Sequence, residues 1–247
     1  METSQDIVNP WEGAPITVVE RTSSTMDDAA ELARNGCPTG AVVVAGFQEK
    51  GRGRVPGRAW VSPAWESLLA TVVVRIVGLG FSLSELPLRA GVAVALAVEE
   101  SAGITVEIKW PNDLMVGGKK LAGLLCETRG DAALIGFGVN CAQMEFPPDL
   151  ADSACSLVQL CGRAVPIFPL LAAILARLKT GLSDAAWRSH LQERLSLRGQ
   201  PVSVDLLGSG RTVEGIVRDV DEEGRLVLQL QDGQTAKIGQ GEIRPAR

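Results

Sequence analysis

The sequence predicts an α+β fold: a mixed, largely antiparallel sheet with flanking helices, followed by a small β-barrel. Three observations carry this. The chain has 247 residues, which suits one large domain and a small companion better than three domains. Several apolar, β-branched runs are joined by turns of two or three residues, which forces neighbouring strands to run antiparallel, because a parallel return needs a long crossover. From Pro201 onward the character changes to short strands broken by GSG, DEEG and QDG. The expected domains are 1–195 and 196–247.

In chain order, Ile16 to Glu20 is a first strand. Ser24-Thr25 then caps a helix over MDDAAELAR, whose acidic first turn complements the helix dipole. Ala41 to Phe47 and Leu68 to Ile76 are buried strands with a glycine and arginine loop, Gly51 to Trp60, hung between them. Pro87 to Ser101 has helical composition with proline at its start. Leu114 to Val116 and Lys119 to Glu127 flank Gly117-Gly118, a pair suited to the positive φ angles of a primed hairpin turn. Arg129 to Asp131 reverses the chain into the strand starting at Ala132. Leu170 to Lys179 and Ser183 to Leu195 are two further helices, and PVSVDL, RTVEGIVRDV, RLVLQL and QTAKI are the strands of the barrel.

Composition narrows the function. Hydrophobic residues make up 46% and charged residues 21%, which excludes wholesale disorder and fibrous repeats. A net charge of -5 argues against coating nucleic acid by charge alone, so any phosphate site must be local. Five cysteines without a C-x-x-C fit reduced thiols in a cytoplasm. His190 is the single histidine, which excludes a histidine-rich metal site. The N-terminus is polar and unlike a signal segment, and no apolar run is long enough to span a bilayer, so no membrane partner is expected.

Three stretches can carry chemistry. From Gln48 to Trp60, four cations and three glycines lie close together in an acidic protein, so backbone and guanidinium forks can both approach an anion. From composition alone this is equally a solvated basic loop. In Lys109-Trp110-Pro111-Asn112-Asp113, polar groups bracket an aromatic plate just before a hairpin that carries Lys120. Lys120 can reach into a cleft as a point charge, or serve as an edge-strand charge that blocks aggregation. In Gly136-Phe137-Gly138-Val139-Asn140, glycines two apart clear one face of a strand, for a ligand or for a bulge.

Taken together, GRGR…GRAW, KWPNDLMV, KKLAGLLCE and GFGVN, in this order and spacing, resemble the biotin protein ligases, or biotin–[acetyl-CoA carboxylase] ligases. The resemblance runs from about Ile16 to Arg247 and takes in Gly241-Glu242-Ile243 near the C-terminus. It implies a class II synthetase-like catalytic domain with an SH3-like barrel. The implied activity is formation of biotinyl-AMP from biotin and ATP, with Mg2+ on the leaving pyrophosphate. Transfer of the biotinyl group to a lysine of the biotin carboxyl carrier protein of acetyl-CoA carboxylase follows.

The same resemblance implies site roles. Ser24, Thr25, Gln48, Gly51 and Arg52 bind biotin, and Gly123, Gly136 and Gly138 let its rings lie against backbone. Arg54 and Lys120 lie between carboxylate and phosphate, with Lys120 the principal catalytic cation. Arg58, Trp60, Asn112 and Asn140 hold the adenylate, and Asp113 helps hold the metal. Two departures stand out: Val55 and Pro56 both intervene before Gly57-Arg58, and Leu68-Leu69-Ala70-Thr71 lacks an aromatic residue in a chain without tyrosine. About fifteen residues precede the first strand, too few for a three-helix DNA-binding domain, so no DNA partner is expected. Homodimers through a sheet edge are common in this family. A lipoate or octanoate ligase of the same superfamily is the nearest alternative, and a non-enzymatic nucleic-acid-binding module a more distant one.

Overall fold

The computed structural model describes residues 7–246; residues 1–6, read above as a polar N-terminus, and Arg247 lie outside the described residues. A seven-stranded sheet has the order β1-β2-β3-β7-β6-β5-β4, and a five-stranded sheet follows it. β1 (Ile16–Thr22) and β2 (Val42–Gln48) run parallel because α1 (Thr25–Arg34) supplies the crossover between them. Every other pairing is antiparallel: β3 (Ser67–Arg75), β4 (Glu107–Lys109), β5 (Asp113–Val116), β6 (Lys119–Arg129) and β7 (Ala132–Asn140). The mixed, largely antiparallel sheet is as the sequence predicts.

The middle strands read as continuous apolar runs because helices cover both their faces. Val42, Val44, Val72, Val74 and Ile135 face α2 (Leu86–Ala102) and α4 (Ile167–Gly181), while Val43, Val73 and Leu134 face Ala29 and Ala33 of α1. Strand periodicity of two assigns alternate residues to each face. Gly117 and Gly118 have φ of +57° and +78°, the primed turn expected between β5 and β6.

The structure corrects several boundaries. The predicted helix from Ser183 begins only at Trp187, as α5 (Trp187–Arg194), because Asp184 Oδ1 accepts the Ala186 N–H at 2.8 Å and holds the preceding residues in a turn. β4 and α3 (Leu157–Cys161) are too short to show periodicity, and neither is predicted. Ser24 occupies the N-cap of α1, but its side chain caps nothing.

The C-terminal module comprises β8 (Pro201–Asp205), β9 (Thr212–Val220), β10 (Leu226–Gln229), β11 (Thr235–Ile238) and β12 (Glu242–Pro245), in the order β11-β10-β9-β8-β12. It is fastened to the larger part by the Trp110 indole, which donates to the Gly224 carbonyl at 3.0 Å, and by Arg188, which donates to the Val220 carbonyl at 2.9 Å. Arg89 ties the helices together. It lies 4.5 Å from the Phe81 ring centroid and 4.7 Å from that of Trp187, pairs with Glu85 at 2.8 Å, and donates to the Leu182 carbonyl. No helix among the described residues is long and apolar enough to cross a membrane.

Candidate active site

On the face of the sheet that α1 covers, β7 presents Ala132, Leu134, Gly136 and Gly138 in turn. Between Leu134 and Asn140, therefore, β7 carries no side chain on that face, and a floor of backbone remains. Gly136 pairs with Thr71 and Leu125, and Gly138 with Leu69 and Gly123, so three strands contribute to the floor. The first turn of α1 closes one side of it, and the Gly51 to Trp60 loop covers the top. That loop folds back on itself: Arg52 bridges to Ala59, and the Trp60 N–H donates to the Gly51 carbonyl at 3.0 Å.

The chamber so formed has about 70 Å³ of free space. Ser24, Thr25, Gln48, Arg52 and the three glycines 123, 136 and 138 all line it. Gly51 does not line it; a Cβ there would meet the Trp60 carbonyl at 2.4 Å, so its small size serves the closure of the loop. Gln48 Oε1 accepts from both the N–H (2.8 Å) and the hydroxyl (3.0 Å) of Thr25, whose hydroxyl accepts from Thr71 at 2.8 Å. The carbonyl end of Gln48 is thus spent, which leaves its NH2 as the donor for a guest. The Ser24 hydroxyl is buried without a partner at the chamber wall. An orphaned buried hydroxyl costs free energy unless a ligand satisfies it.

A second, larger chamber of about 490 Å³ adjoins the first. Arg54, Trp60, Asn112 and Lys120 line both, whereas Arg58, Lys109, Asp113 and Asn140 line only the larger one. Lys120 pairs with Asp113 at 2.6 Å and lies 5.8 Å from the Trp60 ring centroid. Arg54 donates through Nε to Asn112 Oδ1 at 3.1 Å and through Nη2 to the Gly241 carbonyl at 2.8 Å. Burial lowers the pKa of Arg54, opposed by the nearby Asp113 and Glu242 carboxylates. Despite the extra residue in its loop, Arg58 reaches the chamber, where it pairs with Glu242 at 2.6 Å. Arg52 turns the other way, to Asp27 at 2.8 Å.

Two predicted ligand contacts have their amides committed to protein. Asn112 donates to the Leu124 carbonyl at 2.6 Å while it accepts from Arg54. Asn140 donates to the Cys155 carbonyl at 3.0 Å, and its Oδ1 accepts from Gln143 at 3.3 Å. Gln143, which sequence did not flag, also donates to Ser62 and Ser67 and so joins the exit of the loop to β3. The Lys120 backbone is held by a segment distant in sequence: its N–H donates to the Ser153 carbonyl at 2.7 Å, and its carbonyl accepts from the Cys155 N–H at 3.0 Å.

Among the described residues no group of three or more His, Cys, Asp or Glu side chains is placed to hold a metal. Asp113 and Glu242 are the two carboxylates beside the cations of the larger chamber, and Glu242 is held by Arg58. Such a site suits a magnesium ion that arrives on phosphate oxygens better than a dedicated protein cage.

The sequence profile of the Biotin/lipoate A/B protein ligase family matches residues 18–141, and that of the Biotin protein ligase C terminal domain matches residues 198–244. The Bifunctional ligase/repressor BirA of Bacillus subtilis is 32% identical over 222 residues, which cover 85% of this chain and 68% of that protein. The Biotin--[acetyl-CoA-carboxylase] ligase of Mycobacterium tuberculosis is 33% identical over 240 residues, 92% of this chain and 88% of that one. Among solved structures, the biotin protein ligase of Aquifex aeolicus in complex with biotin and ATP superposes with a TM-score of 0.84 at 27% identity, covering 94% of this chain and 99% of that one. Profile, relatives and fold agree, and the chain belongs to the Biotin/lipoate A/B protein ligase family, among its biotin protein ligases.

Proposed function

We propose that this protein joins biotin to ATP as biotinyl-AMP and then passes the biotinyl group to a lysine of the biotin carboxyl carrier protein of acetyl-CoA carboxylase. The observation that carries this reading is the pair of adjoining chambers with Arg54, Trp60, Asn112 and Lys120 shared between them. The smaller, with its glycine floor, suits the fused rings of biotin; the larger, with its cations, suits a nucleotide. Relatives named as biotin–[acetyl-CoA-carboxylase] ligases support the substrate and the acceptor.

In the first step a biotin carboxylate oxygen attacks the α-phosphorus of ATP and pyrophosphate leaves. Two anions must meet, so preorganised cations at the meeting point lower the barrier. Lys120 and Arg54 stand at that border. Asn112 holds the Arg54 guanidinium in place, and the Ser153–Cys155 segment fixes the Lys120 backbone. Bound with the nucleotide, magnesium would neutralise phosphate charge, with Asp113 as its protein contact. In the second step the acceptor amine attacks the acyl carbon and AMP leaves. The protein's task there is to orient the adenylate and exclude water.

The catalytic part is taken to run through residue 195 and the barrel from 196. Five unpaired thiols support a reducing compartment, the cytoplasm. For a homodimer, the outer strand β1 is the edge of the large sheet open to a second copy, since Leu195 and Ser196 already bridge Ile108 on the outer side of β4. The decisive experiment mixes protein, ATP, magnesium and either biotin or lipoate, and follows pyrophosphate release and the acyl-adenylate by mass spectrometry. Biotin-dependent turnover is expected; turnover with lipoate alone would overturn the reading.

A further inference from the structure

The larger chamber holds four cations, Arg54, Arg58, Lys109 and Lys120, against two carboxylates, Asp113 and Glu242, in a protein that is acidic overall. Three of the cations have protein partners. Lys120 is paired with Asp113, Arg58 with Glu242, and Arg54 rests on the Asn112 and Gly241 oxygens. Both carboxylates are thereby engaged, and Lys109 is left without an ion pair or side-chain hydrogen bond among the described residues. Its position is rigid all the same: it closes β4, registered opposite Asp113 across the Trp110 to Asn112 turn, and the next residue, Trp110, is buried and anchored to Gly224. Burial, the largest influence, holds the Lys109 ammonium below the ordinary lysine range, and the neighbouring Lys120 adds to this against the pull of Asp113. A half-buried ammonium without a partner is a cost that an incoming anion would offset.

We propose that Lys109 contacts the β- and γ-phosphates of the nucleoside triphosphate, the portion that departs as pyrophosphate. Its place in the chamber assigns this. Lys120 and Arg54 border both chambers, where carboxylate and α-phosphate meet, whereas Lys109 lines only the larger one, one strand over from the Asp113 that holds Lys120. An aromatic plate, Trp60, is available to the base, and an ammonium suits phosphate oxygens as a point charge with three rotatable donors. As the carboxylate oxygen bonds to the α-phosphorus, the bond from phosphorus to the bridging oxygen breaks. Its electron pair stays on the departing pyrophosphate, whose charge Lys109 would then stabilise. This role rests on the proposed activity, yet its binding component can be measured without it.

The test uses the full chain as wild type, Lys109→Met, which keeps the stem, and Lys109→Arg, which keeps the charge. Calorimetric titration with inorganic pyrophosphate and magnesium should show binding weakened about tenfold or more in Lys109→Met, the size of a lost charge-assisted contact, and retained in Lys109→Arg. In kinetics the KM for ATP should rise, that for biotin stay as it is, and transfer from supplied biotinyl-AMP to the acceptor proceed at the wild-type rate. Pyrophosphate binding by folded Lys109→Met equal to wild type would overturn the proposal, as would an equal loss in the supplied-adenylate reaction. Absence of any biotin-dependent adenylate in the wild type would strike at the functional reading, and the pyrophosphate titration would still decide the role of Lys109.

Discussion

The indole of Trp60 lies directly on Gly138: a Cβ built on that glycine would fall 2.6 Å from Trp60 Cε2. With the ring there, the chamber above the floor has about 70 Å³, well short of the roughly 300 Å³ at which ligand pockets begin. Biotin and the indole thus compete for one surface. Biotin should therefore displace the ring and change the intrinsic fluorescence of the wild type, with the change lost in Trp60→Phe. An unaltered spectrum at a biotin concentration that calorimetry shows to be saturating would refute the competition.

The floor glycines should differ in tolerance. An added methyl at Gly138 projects onto the surface that biotin's rigid fused rings take over from the displaced indole, whereas at Gly136 it meets the Met26 thioether at 2.6 Å, the movable end of a flexible side chain. Gly138→Ala should raise the KM for biotin by about tenfold, and Gly136→Ala by less, since overpacking costs most where the neighbour cannot yield. Steady-state kinetics at saturating ATP measures both; the reverse ranking would show that the floor is used differently.

Lys120→Ala should slow adenylate formation by about a hundredfold to a thousandfold, the usual cost of removing one preorganised donor from a developing charge. Single-turnover rates with biotin and ATP would reveal it. Wild-type rates in that variant would remove Lys120 from the chemistry.

Arg89 lies between two rings and its guanidinium pairs with a buried carboxylate, Glu85. Arg89→Leu leaves that carboxylate buried and unpaired, and should lower stability by about 3 kcal/mol. Urea unfolding should show a lower midpoint with an unchanged slope, while activity well below the transition persists. A midpoint equal to wild type would mean the clamp contributes nothing.

In the C-terminal module, burial opposes ionisation of Asp221, but hydrogen bonds from the Arg225 side chain, the backbone amides of Arg225 and Glu223, and Lys237 outweigh it and lower the pKa from 3.8 to about 2. A folded-state pKa below the unfolded one stabilises above the unfolded value and is lost on acidification. Stability should therefore fall between about pH 4 and pH 2, and Asp221→Asn should flatten the slope in that window. Denaturation series at stepped pH would expose parallel slopes if the carboxylate were irrelevant.

Strands β2, β3 and β7 were legible in the sequence because burial on both faces leaves an uninterrupted apolar run, and the β5–β6 turn because two adjacent positive φ angles call for Gly-Gly. The basic loop, the glycine pair and the two lysine motifs were legible as pieces. What composition could not give was their convergence, which depends on the Gly136–Gly138 face turning toward α1 and on the Arg54 fork reaching Gly241, 187 residues on. Gln143 left no signal, because a lone glutamine between Ala142 and Met144 is unremarkable until Asn140, Ser62 and Ser67 surround it. Lys109 was visible within its motif, but its want of a partner only emerges once Asp113 and Glu242 are seen to be engaged.

Between the buried ends of the stretch from Cys141 to Ser156, residues 144–153 wander over the outside of the molecule and would pass for a convenient place to splice in a tag or to shorten the chain. The far end of the stretch nevertheless grips the Lys120 main chain on both sides, as a borrowed strand where β7 has already ended. Cutting or lengthening it would spare the core and misalign a single ammonium, giving a well-folded protein whose defect no melting curve would disclose.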